Sequence, residues 1–157
     1  AAEIDREVDE AIRILYQQIP ASQELAKTAR GILVFPNVVK AGFVVGGQYG
    51  EGALRRLGRT TGYYNTVAAS YGLQAGAQKF GYALFFMTND GLAYLDNSEG
   101  WEIGVGPTIV VVDTGLARSL STTTAKDDVY AFFFDQKGLM GGLGLQGSKI
   151  TRITPDK

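Results

Sequence analysis

The chain has 157 residues with balanced charge (15 Lys and Arg against 16 Asp and Glu), 45% hydrophobic residues and 21 glycines, and it has no cysteine and no histidine. These absences exclude disulfides, thiolate and Ser-His-Asp or Cys-His catalysis, and zinc–sulfur sites, and leave a carboxylate-only enzyme or an oxygen-ligand cation site as the surviving alternatives to a non-enzymatic reading without cofactor or metal. No apolar run approaches the roughly 20 residues that a membrane-crossing helix requires, and the length suits one domain spanning 1–157.

Residues 1–24 carry two cations against six anions, a net of −4. Residues 25–60 carry Lys27, Arg30, Lys40, Arg55, Arg56 and Arg59 against Glu51 alone, a net of +5. The remainder has seven cations and nine anions. A cationic middle within a slightly acidic chain points to a local anion-binding surface and away from general nucleic-acid binding.

In chain order, residues 1–30 read as helical. Ile4, Val8, Ala11, Ile12, Leu15 and Ile19 recur at three- and four-residue spacing, which is one face of an amphipathic helix, with acids on the other face and Pro20 as its end. A second short helix follows, with Ser22 as N-cap, Lys27 and Arg30 in its last turn and Gly31 just beyond. From residue 31 the pattern is mainly β. Ile32–Phe35 is a short run that Pro36 cuts off, and Val38–Leu54 reads as one bent strand.

In that strand Gly42, Val44, Gly46, Gln48, Gly50 and Gly52 share a face. A nearly bare face is costly and makes sense where a backbone, a helix or a ligand must come close. Arg55–Gly62 reads as a hairpin connection into a strand Tyr63–Gln78, followed by a strand Tyr82–Thr88 and a short helix over 89–99 with Leu92 and Leu95 inward. Trp101–Val112, Ala117–Thr123, Val129–Asp135, Leu139–Gln146 and Lys149–Ile153 complete the strands.

The total is an α+β fold, with N-terminal helices packed on a glycine-rich, mainly antiparallel sheet or barrel. Phe85-Phe86 and Phe132-Phe133-Phe134 alternate faces, which implies a sheet buried on both sides. VGGQYGEG (45–52), YGLQAGAQ (71–78) and LGLQGSK (143–149) each contain Gly-x-Gln; the glutamines either pair between neighbouring strands or line a polar cavity. Asp127-Asp128 reads as a charged turn, since no calcium-loop spacing accompanies it.

Four segments, KAGFVVGGQYGEG (40–52), ASYGLQAGAQ (69–78), WEIGVGPTIVV (101–111) and GLMGGLGLQG (138–147), occur in the order found in the SYLF domain family, which the chain resembles from about residue 20 to 153. The resemblance implies binding of anionic phospholipid head groups at a membrane surface. It also implies an exported bacterial protein, periplasmic and lipid-anchored to the outer membrane, and a start at Ala1 without methionine suits a processed chain. Fungal members bind actin, but the acidic polar face of the first helix argues against carrying that activity over, and would repel anionic lipid.

Within this reading Arg55, Arg56 and Arg59 are the head-group candidates, because paired guanidinium forks suit a phosphodiester. Lys40, Lys27 and Arg30 supplement them. The alternatives are a hairpin tip carrying solubilising charge and, for the protein as a whole, a cell-envelope structural or interaction protein with an unknown protein partner.

Overall fold

Pro36 lies in the middle of a strand rather than at its end. In the computed structural model β1 runs Gly31–Gly42, and one extra residue is inserted around Pro36-Asn37. Four residues separate Val34 from Val39 where the facing strand has three between Ala53 and Tyr49; on the other side Phe35 and Val38 bracket two residues opposite the single Gly81. A bulge of this kind is where a strand tolerates proline, because the missing N–H has no ladder partner to lose. The inserted residue also restores the alternation, so Leu33, Phe35 and then Val38 all enter the same core.

Residues 2–42, 45–71, 77–96, 100–112, 127–137 and 148–155 are described, with 40–42, 45–46, 69–71, 77–78 and 135–137 described through their backbone alone. Helix α1 is Ala2–Gln18 and α2 is Pro20–Ala26. The strands are β1, β2 (Val45–Arg56), β3 (Arg59–Tyr71), β4 (Ala77–Phe86), β5 (Trp101–Glu102), β6 (Ile109–Val111), β7 (Val129–Lys137) and β8 (Lys149–Ile153). Helix α3 is Asn89–Ala93 and continues as a 3-10 turn over Tyr94–Asp96, with Leu92 and Leu95 buried as the sequence implies.

One sheet has the order β5-β8-β3-β2-β1-β4-β7-β6, antiparallel except for β6 with β7. The fold is α+β, with a strongly curled sheet. Two facts require the curl. The edge strands β5 and β6 are joined by residues 103–108 alone, a span of at most about 25 Å, whereas seven strand spacings laid flat would need about 33 Å. The rings of Trp101 on β5 and Phe86 on β4 lie 5.8 Å apart although four strands separate them in the sheet.

The curl divides the interior into two cores. Inside it lie Leu33, Phe35, Val38, Leu54, Tyr64, Phe80, Tyr82, Leu84, Phe86, Trp101 and Ile150. On the outer face Val8, Ala11 and Leu15 of α1 and Leu25 of α2 cover Val34, Ala53, Ala83, Phe85, Phe132 and Phe134. Phe85 and Phe86 therefore serve opposite faces, as do Phe132 and Phe133. Tyr82 is wholly buried, which pushes its phenol pKa up, and it donates to Thr66 Oγ1 at 2.7 Å from across the curl.

Several sequence expectations are corrected. Val38–Leu54 is the end of β1 and most of β2, antiparallel with Gly42 facing Gly46. Gln78 belongs to β4 rather than to the strand of Tyr63. Trp101–Val112 is divided between the two sheet edges, since Gly104 and Gly106 take φ of +113° and +93° between β5 and β6. The N-cap of α2 is Ile19, with Pro20 at the first helical position, where its missing N–H costs nothing. Ser22 instead donates its hydroxyl to the Ile19 carbonyl at 2.6 Å. The expected strands Ala117–Thr123 and Leu139–Gln146, and the Gly-x-Gln pairs at 72–74 and 144–146, lie outside the described residues.

Two glycines of the stripe, Gly50 and Gly52, have their cause in the bulge. A Cβ on Gly52 would meet the Val34 carbonyl oxygen at 1.9 Å, and one on Gly50 would meet Val38 Cγ2 at 2.8 Å and the Asn37 carbonyl at 3.1 Å. Across β1, a Cβ on Gly81 would meet the Phe134 ring at 2.6 Å and the Pro36 carbonyl at 3.1 Å. The backbone that must come close is that of the neighbouring strand. Gly52→Ala should therefore destabilise the protein by about 3 kcal/mol through overpacking against an immovable carbonyl. Gly47→Ala, where the nearest atom to the added carbon is the Ala68 carbonyl at 3.6 Å, should stay within about 0.5 kcal/mol. Urea unfolding of the two variants checks the contrast.

Candidate functional site

The β2–β3 hairpin closes through two residues, Leu57 and Gly58, both at positive φ (+54° and +78°). Such a turn matches the strand twist and favours Asn-Gly or Gly-Gly, because a leucine in the left-handed region meets its own carbonyl. Leu57 is also 101% exposed. Leu57 thus combines a strained backbone with a fully exposed apolar side chain, and no burial compensates for the strain.

The arginines around this tip fall into two groups. Arg55 faces α1, with its side chain only 13% exposed. Its Nη1 donates to Asp9 Oδ1 at 2.7 Å and its Nη2 to the Asp5 carbonyl at 3.1 Å, while Nε is buried without a partner. Asp5 in turn accepts from Thr60 Oγ1 at 2.9 Å and from the Tyr63 hydroxyl at 2.8 Å; burial first, and then this carboxylate, raise the Tyr63 pKa. Glu7 accepts from Asn37 Nδ2 at 2.8 Å at the bulge. Thus three acids of α1 hold the helix on the sheet, and Arg55 is the centre of that clamp.

Arg56 and Arg59 face each other in register across the turn and are exposed, and their side chains have no hydrogen-bond or ion-pair partner among the described residues. Lys27 caps the end of α2 and forms an exposed pair with Glu24 at 3.3 Å. It lines, with Arg55, Leu57, Gly58, Tyr16 and Ile32, a groove of about 350 Å³ between the helices and the hairpin. Arg30 is exposed immediately before β1, its amide donating to the Phe86 carbonyl at 2.7 Å. Ile32 is in register with Arg55, so five of the six sequence candidates meet at one end of the sheet. Lys40 does not join them. It is in register with Gln48 and Gln78, eight residues along β1 from Ile32, about 26 Å away.

A second hollow at the same end, of about 460 Å³, lies inside the curl and is lined by Arg56, Thr61, Tyr64, Asn89, Asp96 and Arg152 over Leu54, Leu92 and Ala93. Arg152 reaches it because β8 pairs with β3, with Arg152 opposite Tyr64. Its Nη2 makes one long bond to the Thr61 carbonyl at 3.4 Å. Burial raises the Tyr64 pKa, opposed by Arg152 and reinforced by Asp96. Arg152, Asp96 and Leu57 are absent from the sequence candidates. Leu57-Gly58 carried a readable signal, a poor turn residue between arginines, whereas Arg152 depends on a pairing between distant strands.

Other sequence candidates have structural duties. Trp101 is buried and donates Nε1–H to the Val105 carbonyl at 2.9 Å, Asp127 accepts from the Tyr130 hydroxyl, and Asp128 accepts from Thr88 Oγ1 at 2.8 Å. Gln48 is buried and donates to Ser148 Oγ at 3.5 Å. Among the described residues no helix is long and apolar enough to cross a membrane. No protein-family model matches the chain, and no curated protein matches it either.

The clamp makes a direct prediction. Arg55→Gln should lower stability by about 1–2 kcal/mol, since it uncouples α1 from β2 and leaves Asp5 less well partnered. Arg59→Gln, at an exposed and unpaired position, should change it by less than about 0.5 kcal/mol. Urea denaturation followed by the helical circular dichroism signal separates the two.

Proposed function

We propose that this chain is a non-enzymatic module that binds anionic phospholipid membranes through the hairpin end of its sheet. The observation that carries the reading is Leu57, an apolar side chain held fully exposed in a strained turn and flanked by the unpaired Arg56 and Arg59. On a membrane, the leucine enters the interfacial region, where its burial is worth about 1.5–3 kcal/mol. Arg56, Arg59, Lys27, Arg30 and Arg152 meet the head groups, each contributing about 1 kcal/mol at physiological salt. The sum gives moderate, salt-sensitive binding. The acids of α1 that would oppose it are partly neutralised, since Asp5 and Asp9 are engaged by Arg55.

The SYLF-like segments support the same reading, and with it an exported bacterial protein acting at the periplasmic membrane surface. It involves neither actin nor nucleic acid and requires no cofactor. A second reading, an envelope protein that binds another protein, is favoured by one feature. Val39, Tyr49 and Val67 stand in register on three adjacent strands, each 43–48% exposed. That stripe lies about 26 Å along β2 from Leu57, so the two surfaces can be tested separately.

The test is co-sedimentation with neutral and phosphatidylglycerol-containing vesicles at low and high salt. Wild type should bind anionic vesicles alone and release with salt. Leu57→Asn should stabilise the fold by about 1 kcal/mol, because asparagine accepts the left-handed turn, yet bind about tenfold or more weakly. Tyr49→Ser should bind as wild type does. Absence of vesicle binding by wild type overturns the membrane reading and leaves the Val39–Tyr49–Val67 stripe as the working surface.

A further inference from the structure

We infer that the hollow between Arg56 and Arg152 is a head-group seat selective for a singly charged phosphodiester bearing hydroxyl groups, the chemistry of a phosphoglycerol head group. The inference rests on the membrane reading and assigns it a ligand class. Two guanidinium groups border a hollow of about 460 Å³, large enough for a head group and polar on most sides. Arg56 has no partner among the described residues, and Arg152 has only the long bond to Thr61. Both therefore keep free N–H forks of the geometry that phosphate oxygens accept.

Asp96 shares the hollow and has no hydrogen-bond donor among the described residues. Two arginines and one carboxylate leave a formal charge of +1, which matches one phosphodiester. A phosphomonoester without a head-group hydroxyl brings nearly two negative charges to the carboxylate and no donor for it, whereas a phosphoglycerol brings one charge and hydroxyl donors. The same carboxylate accepts from hydroxyl groups, and Asn89 and Thr61 offer both donors and acceptors. Leu54 and Leu92 are the buried apolar part of the lining, while Arg56, Thr61, Asn89, Asp96 and Arg152 are exposed, so a head group can enter the hollow from solvent. The hollow opens at the same end of the sheet as Leu57, so a lipid whose acyl region meets the hairpin tip presents its head group on the side where Arg56 stands.

The experiment compares wild type, Arg152→Gln, Asp96→Asn and Arg59→Gln on vesicles containing equal fractions of phosphatidylglycerol or phosphatidic acid. A second arm titrates soluble glycerophosphoglycerol while amide chemical shifts are followed. Wild type should prefer phosphatidylglycerol. Arg59→Gln should weaken both lipids by a similar factor of about five, the loss of one surface charge. Arg152→Gln should weaken phosphatidylglycerol binding by about tenfold and phosphatidic acid binding less, removing the preference. Asp96→Asn should raise phosphatidic acid binding. Saturable shifts at Tyr64, Asn89 and Arg152 with the soluble diester should accompany these results.

If wild type binds both lipids equally and Arg152→Gln behaves as Arg59→Gln does, the seat is overturned while the membrane reading stands. If wild type binds no vesicle but the soluble diester gives saturable shifts at these residues, the seat stands with a soluble ligand and the membrane reading falls. Absence of both kinds of binding overturns both.

Discussion

A single inserted residue in the central strand governs the packing around it. The bulge at Pro36-Asn37 drives the carbonyls of Val34, Pro36 and Asn37 toward β2 and β4. Those strands can stay paired only where they carry no Cβ on that side, at Gly50, Gly52 and Gly81. Once the close approach is allowed, the bulge bends the centre of the sheet, since an extra residue on one strand locally increases twist and bend. The bend lets two edges seven strand positions apart be joined by residues 103–108 and lets Trp101 reach Phe86. Gly50, Gly52 and Gly81 are thus a requirement of the inserted residue rather than a lining for a ligand.

The curl in turn sets up the helix docking and the charge distribution. With the inner face closed on its own aromatic residues, the outer face needs cover, and α1 supplies it through Val8, Ala11 and Leu15. Hydrophobic contact alone would leave the helix free to slide along a fairly uniform surface of Val, Ala and Phe. The pairs Arg55–Asp9, Arg55–Asp5, Thr60–Asp5, Tyr63–Asp5 and Asn37–Glu7 fix the register instead. Such bonds give modest net stability but penalise any displaced arrangement, in which the half-buried groups would lose their partners. The acidic face of α1, which in isolation argues against a membrane role, has this internal task.

The elements whose evidence is local were readable in the sequence. The spacing of Ile4, Val8, Ala11 and Leu15 reports a helix face, and Phe85-Phe86 reports a strand buried on both sides. The divided course of Trp101–Val112 was hidden, because the two glycines that interrupt it look like the many others in the chain. Pro36 misled for a sharper reason. Proline ends a strand unless its position is one that needs no ladder donor, and that condition belongs to the partners of β1 rather than to β1 itself. At the candidate site, local charge was enough to place Arg56 and Arg59 together, because their neighbours are the turn they flank. It could not separate Arg55 from them, since its engagement depends on a helix 46 residues earlier in the chain, and it placed Lys40 with them although β1 carries it to the far end.

Leu57 then has a different standing from the glycines. Gly50, Gly52 and Gly81 are demanded by atoms that would otherwise collide, so their presence is explained within the fold. Nothing within the fold demands a leucine at φ +54° with its side chain in water; asparagine or glycine would close the same turn with less strain. A residue that lowers stability without a structural return is the kind of local inconsistency expected where a surface meets something outside the molecule. Its neighbours narrow what that something is. Arginines on both sides, unpaired and in register across the turn, favour an anionic surface with an apolar layer beneath it, which is the composition of a phospholipid interface. The proposed seat between Arg56 and Arg152 extends that logic from the surface to the individual head group, since a carboxylate set between two arginines calls for a ligand that brings a hydroxyl donor as well as an anion, a demand that a bare cationic rim does not make.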